Sequence, residues 1–208
     1  MIKKDIIQPI NDLIEKRAKE LKNKIAYADE TEKISYENLN IETKRLSFYL
    51  NEKKLNYGDA ASIILPNSVN WIVSCFAIIR LGCLVVPISY DSTLSEIEYK
   101  LNDSNTKILI TTNEIKDKIK KQLELKNEIQ FITVDDQKAD LNLTKVRKIN
   151  HQSILLKDDI NKPSYILYTS GTTGQPKGVL LTTRGMLWVI ASCLSLIHIS
   201  EPTRQFRI

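Results

Sequence analysis

The sequence predicts an α/β fold of mostly parallel sheets flanked by helices, and three observations carry that reading. Between Ala60 and Val134, apolar runs of strand length alternate with runs of helical periodicity, the pattern of strands joined by crossover helices. The strand runs are apolar residue after residue, as in Leu84-Val85-Val86-Pro87-Ile88, which suits burial on both faces. Finally, a loop rich in glycine and hydroxyl side chains, Tyr168 to Gly178, separates two further apolar strands.

Each element has its own signal. Apolar residues recur at helical spacing from Ile6 to Leu21, at Ile10, Leu13, Ile14, Ala18 and Leu21. Ile25–Ala28 and Lys33–Tyr36 flank an acidic turn and predict a hairpin. Ser35 or Tyr36 then opens a helix to about Lys53, with Leu39, Leu46, Tyr49 and Leu50 inward, and Gly58-Asp59 breaks it. Strand Ala60–Leu65 ends at Pro66-Asn67, helix Ser68–Leu81 stops at Gly82, and strand Leu84–Ile88 follows. Helix Leu94–Leu101, strand Ile108–Ile110, helix Glu114–Leu123 and strand Ile129–Val134 continue the alternation. Asp135 to Asn161 is polar and irregular, with a short helix expected around Ile154. The last strands are Ser164–Thr169 and Lys177–Thr182, on either side of the loop.

The chain has 208 residues, 42% of them hydrophobic and 26% charged, enough for a sizeable core. Its net charge of +5 comes from lysines spread along the chain. No arginine-rich patch or aromatic interleaving marks a nucleic-acid surface, so nucleic acid is not an expected partner. Cys75, Cys83 and Cys193 are too scattered for a disulfide framework or a zinc site, and Cys75 and Cys83 are expected in the core. No signal peptide is visible at Met1–Asp5. The longest apolar region, Trp71–Ile88, is broken by Arg80, Gly82 and Pro87, so no integral membrane segment is expected. A cytoplasmic location fits these features.

The loop carries the chemistry. Tyr168-Thr169-Ser170-Gly171-Thr172-Thr173-Gly174-Gln175-Pro176-Lys177-Gly178 contains hydroxyls, glycines and one lysine but no acid. Glycines let the backbone approach an anion closely, and successive N–H groups in a turn form an anion-binding concavity. Hydroxyls add donors, and lysine adds a compact point charge. Polyphosphate suits such a loop. The spacing is not that of the P-loop of NTPases, which places four residues between its first glycine and Gly-Lys-Ser/Thr; here Gly171 and Gly174 are two residues apart and Gly178 follows Lys177. A polar surface hairpin is the bland alternative, though turn chemistry alone does not call for Ser-Gly-Thr-Thr-Gly followed by Pro-Lys-Gly.

From Tyr168 to Gly178 the loop resembles the phosphate-binding signature of the AMP-forming adenylating enzymes, which include acyl- and aryl-CoA synthetases, peptide-synthetase adenylation domains and luciferases. Three further segments resemble that family: Ile34–Leu39, Gly58-Asp59 with Ile63–Ser68, and Phe76–Ile88. The resemblance covers about residues 1–192, the N-terminal third or so of a typical member. The fold class it implies is the incomplete N-terminal part of the family's large domain.

The resemblance implies a two-step ligase. A carboxylate attacks ATP to give an acyl-adenylate and pyrophosphate, and a thiol, of CoA or of a carrier protein, then takes the acyl group. ATP, Mg²⁺ and CoA (as co-substrate) are the implied cofactors. A small carboxylic acid, ATP and CoA are the implied partners. Lys177 is the implied catalytic residue, neutralising the β/γ region of the triphosphate. Thr169, Ser170, Gly171, Thr172, Thr173, Gly174, Lys177 and Gly178 are the implied nucleotide-binding set. Thr169 is the implied Mg²⁺ ligand; its other reading is a strand-end hydroxyl that satisfies backbone. Tyr168 reads as core rather than as a stacking platform. Thr183 departs from the pattern, since many members carry His there. The family's adenine pocket, Mg²⁺ glutamate, ribose aspartate, hinge and C-terminal lysine would follow this segment.

The expected function of the full-length parent is a medium- or long-chain acyl-CoA synthetase of fatty acid metabolism, suggested by Gly185-Met186-Leu187-Trp188. A peptide-synthetase adenylation domain and a non-catalytic nucleotide-binding protein are the alternatives. Leu194 to Arg204 resembles the in-frame translation of a transposase-type sequencing adapter. Residues 1–193 are therefore expected to be a partial adenylation domain and 194–208 a non-native tail. This fragment is expected to be inactive and poorly folded, with sheet edges left exposed after the loop.

Overall fold

The computed structural model describes residues 6–135, 143–146, 159–169 and 175–200, the last seven as backbone. Seven helices and eight strands occur among them: α1 Ile10–Leu21, β1 Ile25–Ala28, β2 Lys33–Ser35, α2 Tyr36–Glu52, β3 Ala60–Ile64, α3 Val69–Arg80, β4 Leu84–Pro87, α4 Leu94–Asp103, β5 Thr106–Thr111, α5 Asn113–Gln122, β6 Gln130–Thr133, α6 Leu143–Val146, β7 Pro163–Thr169, β8 Lys177–Thr182 and α7 Thr183–Ser200. The alternation read from Ala60 to Val134 is thus observed, with boundaries moved by a residue or two.

Local chemistry sets those boundaries. Pro9 occupies the N-cap of α1, so the helix opens at Ile10 rather than at the predicted Ile6; proline lacks the N–H that a helix interior needs. Ser35, Ser68, Thr93 and Thr112 cap α2, α3, α4 and α5 through their hydroxyls, satisfying N–H groups that have no partner within the helix. At α4 the cap is reciprocal, Glu96 accepting from the Thr93 N–H. Gly58 and Gly82 take positive φ of 82° and 71°, where side chains are rarely tolerated, and each ends the turn before a strand. The short helix among the described residues is α6, packed on α2; the helix expected around Ile154 lies outside the described residues.

β1 and β2 form the predicted antiparallel hairpin. The main sheet has six strands in the order β6-β5-β3-β4-β7-β8. Every pairing is parallel except the last, β7 with β8. Alternate residues of the central strands feed two cores. Ala61, Ile63, Val85, Ile108 and Ile110 pack with α1, α2, α3 and Leu187 of α7 on one face. Ala60, Ile64, Val86 and Leu109 pack with Ile97 and Leu101 of α4 and Ile115 and Ile119 of α5 on the other. Burial on both faces explains why all five β3 residues are buried and why these strands read as unbroken apolar runs. β8 forms one edge, with Val179 41% and Leu180 57% exposed.

Cys75 and Cys83 are buried as expected, while Cys193 is exposed. Burial pushes both core thiols up to about 12, so they stay protonated and unreactive near neutral pH. No helix among the described residues is long and apolar enough to cross a membrane.

One long-range polar contact ties the hairpin to the sheet. Asp29, in the β1–β2 turn, accepts from the Val69 N–H at 2.8 Å, at the first turn of α3. It also accepts from the N–H groups of Thr31 and Glu32 and from the Thr31 hydroxyl. The Val69 bond first, then those from Thr31, lower the carboxyl from 3.8 to about 2, because each favours the charged form. Folding therefore favours the carboxylate. Its contribution is complete above 3.8 and is lost as the pH falls through about 2. Asp29→Ala should lower the unfolding temperature at pH 6, and the gap to the unaltered chain should close as the pH is taken down to 2. A gap that does not change with pH would contradict this account.

Candidate functional site

The loop is placed by the sheet. β7 lies parallel to β4, with Val85 beside Tyr165. The carboxyl end of β7 therefore opens on the same edge as those of β3, β4 and β5. Ligands of open α/β sheets bind outside this edge. An open cleft of about 550 Å³ at the carboxyl ends of β3 and β4 is lined by Pro66, Asn67, Trp71, Ser89, Tyr90 and Asp91 among others. It is formed by the segments that follow β3 and β4.

β8 returns antiparallel to β7, with Tyr168 opposite Gly178 and Thr169 opposite Lys177. Directly opposed residues in an antiparallel pair put their side chains on the same face. The hairpin thus brings together two sequence-predicted site residues, the Thr169 hydroxyl and the Lys177 ammonium, both exposed to solvent at its open end. Ser170, Gly171, Thr172, Thr173 and Gly174 lie outside the described residues.

Gly178 has a role the sequence did not reveal. A Cβ there would lie 3.1 Å from Ile166 Cγ2 and 3.3 Å from two ring carbons of Tyr168. The glycine leaves the space that the Tyr168 ring occupies. That ring is half-buried, as its core reading predicted in part, and it makes polar contacts that reading lacked. Its hydroxyl donates to Asp103 Oδ2 at 2.7 Å, with the Lys100 carbonyl at 3.4 Å, and its edge meets Tyr99 at 6.2 Å between centroids. Burial, and then the Asp103 carboxylate, push the phenol well above its ordinary range, so it remains a donor. Tyr99 and Asp103 were invisible to the sequence reading because they lie 69 and 65 residues before Tyr168, and nothing local marks such a contact.

After β8, Thr183 is buried and donates to Ser164 Oγ at 2.9 Å. The position where the family pattern has His here fastens α7 to β7. A second cavity, apolar and about 340 Å³, lies toward the amino end of β7 between α1, α3 and α7, with Tyr165 and Thr183 in its wall. No cluster of three or more His, Cys, Asp or Glu side chains suited to a metal occurs among the described residues. The Thr169 hydroxyl is an oxygen donor of the type Mg²⁺ takes, and Mg²⁺ bound to a nucleotide draws other ligands from phosphate and water.

Comparison with known proteins agrees with this geometry. The family model of the AMP-binding enzymes matches residues 14–206. The chain is 27% identical over 206 residues to a dimodular nonribosomal peptide synthase of Bacillus subtilis, covering 99% of this chain and 8% of that protein. Among solved structures, a fatty acyl CoA synthetase of Mycobacterium tuberculosis superimposes with a TM-score of 0.73 at 24% identity, over 86% of this chain and 35% of the other. An o-succinylbenzoate CoA synthetase of Bacillus subtilis, solved with the acyl-adenylate intermediate OSB-AMP, does so with a TM-score of 0.72 at 23% identity, over 94% and 47%. The mixed α/β sheet and the loop-bearing hairpin define an adenylate-forming fold. The chain belongs to the family of AMP-binding enzymes, and it spans under half the length of each of these relatives.

The fit at Gly178 is open to test. Gly178→Val should lower the unfolding free energy, because the added side chain must displace the Tyr168 ring, and Gly178→Ala should lower it by less. Denaturant unfolding of both variants checks this; equal stability for all three chains would show that the ring is not held against the glycine.

Proposed function

We propose that this chain is the amino-terminal part of a longer ligase that activates a carboxylic acid with ATP and passes it to a thiol. The observation that carries the proposal is Thr169 facing Lys177 at the mouth of a hydroxyl- and glycine-rich loop, on the sheet edge where ligands bind. In the first step a carboxylate oxygen forms a bond to the α-phosphorus. The bond to the bridging oxygen breaks, and pyrophosphate leaves with that electron pair. Negative charge builds on the leaving group, and fixed donors aimed at it lower the barrier. Lys177 supplies a charge there. The hydroxyls of Ser170, Thr172 and Thr173 and the backbone at Gly171, Gly174 and Gly178 are the proposed cradle for the phosphates. Thr169 is the residue proposed to offer an oxygen to Mg²⁺, which when bound would offset phosphate charge.

The acid and its acceptor divide two readings. A medium- or long-chain acid passed to CoA is suggested by the Gly185–Trp188 run. An amino acid passed to a carrier-protein thiol is favoured by the likeness to a nonribosomal peptide synthase over 99% of the chain, and it has the more direct support. Acid-dependent exchange of labelled pyrophosphate into ATP by the longer enzyme, run with panels of fatty acids and of amino acids, separates them. Exchange with neither panel would favour the non-catalytic alternative.

Lys177→Ala should slow this exchange by about 10²–10³-fold, the usual cost of losing one contact to developing charge. The KM for the acid should change little, since the lysine acts on the leaving group. A weakened acid KM with an unchanged exchange rate would contradict the assigned role.

A further inference from the structure

We propose that Asp103 is a positioning residue for the phosphate loop, acting through Tyr168. This rests on the adenylation reading of the loop and adds a residue that its sequence does not contain. Tyr168 is the last residue of β7 before Thr169, so whatever fixes its ring fixes the direction in which the strand delivers the loop. Three groups fix it from three sides. The Asp103 carboxylate, at the last residue of α4, accepts the phenol proton at 2.7 Å. The Tyr99 ring, one turn earlier in the same helix, meets it at an interplanar angle of 77°, the edge-to-face arrangement that aromatic pairs favour. From the neighbouring strand, Gly178 faces the ring across the hairpin, where an added Cβ would lie 3.3 Å from two ring carbons.

The partners on the far side are themselves held. Ile97 and Leu101 anchor α4 in the core between helices and sheet. The capping box at Thr93 fixes the other end of the helix. Asp103 is thus a fixed point to which the loop's entry is tied. By contrast, β8, which carries Lys177 away from the loop, is an exposed edge strand with no neighbour on its outer side among the described residues. Among the described residues of β7 and β8, Tyr168 carries the side-chain hydrogen bond to α4. A hydrogen bond to a charged acceptor is stronger than one between neutral groups, and a loop displaced by about 1 Å can cost about 10²-fold in rate.

The test uses Asp103→Ala, Asp103→Asn, Tyr168→Phe and the double variant Asp103→Ala/Tyr168→Phe. Amide hydrogen exchange, followed on peptides across 163–182 and across 60–80, reads the loop's anchoring without reference to activity. Exchange near 168–178 should quicken in Asp103→Ala and Tyr168→Phe, and the central peptides should keep their protection. In the longer enzyme, acid-dependent pyrophosphate exchange should fall about 10–10²-fold in kcat with the acid KM unchanged. The double variant should be no worse than either single one, because one residue acts through the other. Asp103→Asn, which keeps an acceptor, should recover most of the rate. Unchanged protection at 168–178, or losses that add in the double variant, would overturn the proposal. A parent enzyme without exchange activity would remove the adenylation reading and this inference with it, an outcome distinct from an active enzyme indifferent to Asp103.

Discussion

The parallel pairing of β7 with β4 is the constraint on which the rest of the structure depends. It sets β7 beside central strands that are buried on both faces, which is why β3 and β4 are mostly apolar. Together with the parallel pairings of β3 with β4 and β5, it puts the carboxyl ends of β3, β4, β5 and β7 on one edge. Loops after those strands then gather at that edge, where no neighbouring strand occupies the backbone groups. The loop proposed to hold phosphate is one of them. Its chemistry comes from its residues, and its usefulness comes from where the sheet puts it.

Much of this was legible in the sequence because the signals are local. Gly82 between an apolar helical run and Leu84–Val86 marked both the end of α3 and the start of β4. Apolar periodicity placed α3, α4 and α5 within two residues of the bounds that their hydroxyl caps and breakers set in the structure. The two strands around the loop were visible as apolar runs, and the residues between them identified the family. The start of α1 was misplaced because Ile6 continues the helical spacing while Pro9 ends the helix against it.

What was not legible is non-local. Sequence spacing gives no hint that Tyr168 donates to a carboxylate 65 residues earlier, or that Gly178 is small because a tyrosine on the facing strand needs the room. Nor could it show Asp29 holding the first N–H of α3, a contact across 40 residues. Thr183 illustrates the same limit. A departure from the family pattern reads as a loss, yet the hydroxyl is buried and bonded to Ser164, where it joins α7 to the sheet. Each of these depends on two segments that only the fold brings together.

The central claim is that the hairpin carrying Thr169 and Lys177 serves cleavage of ATP between its α- and β-phosphates. Product analysis with ATP labelled at the α-phosphate, in the longer enzyme with the acid that supports turnover, tests it most directly. The account predicts that the label appears in AMP and in the acyl-adenylate, in amounts that match the pyrophosphate released. Label recovered in ADP, with inorganic phosphate as the other product, would contradict it.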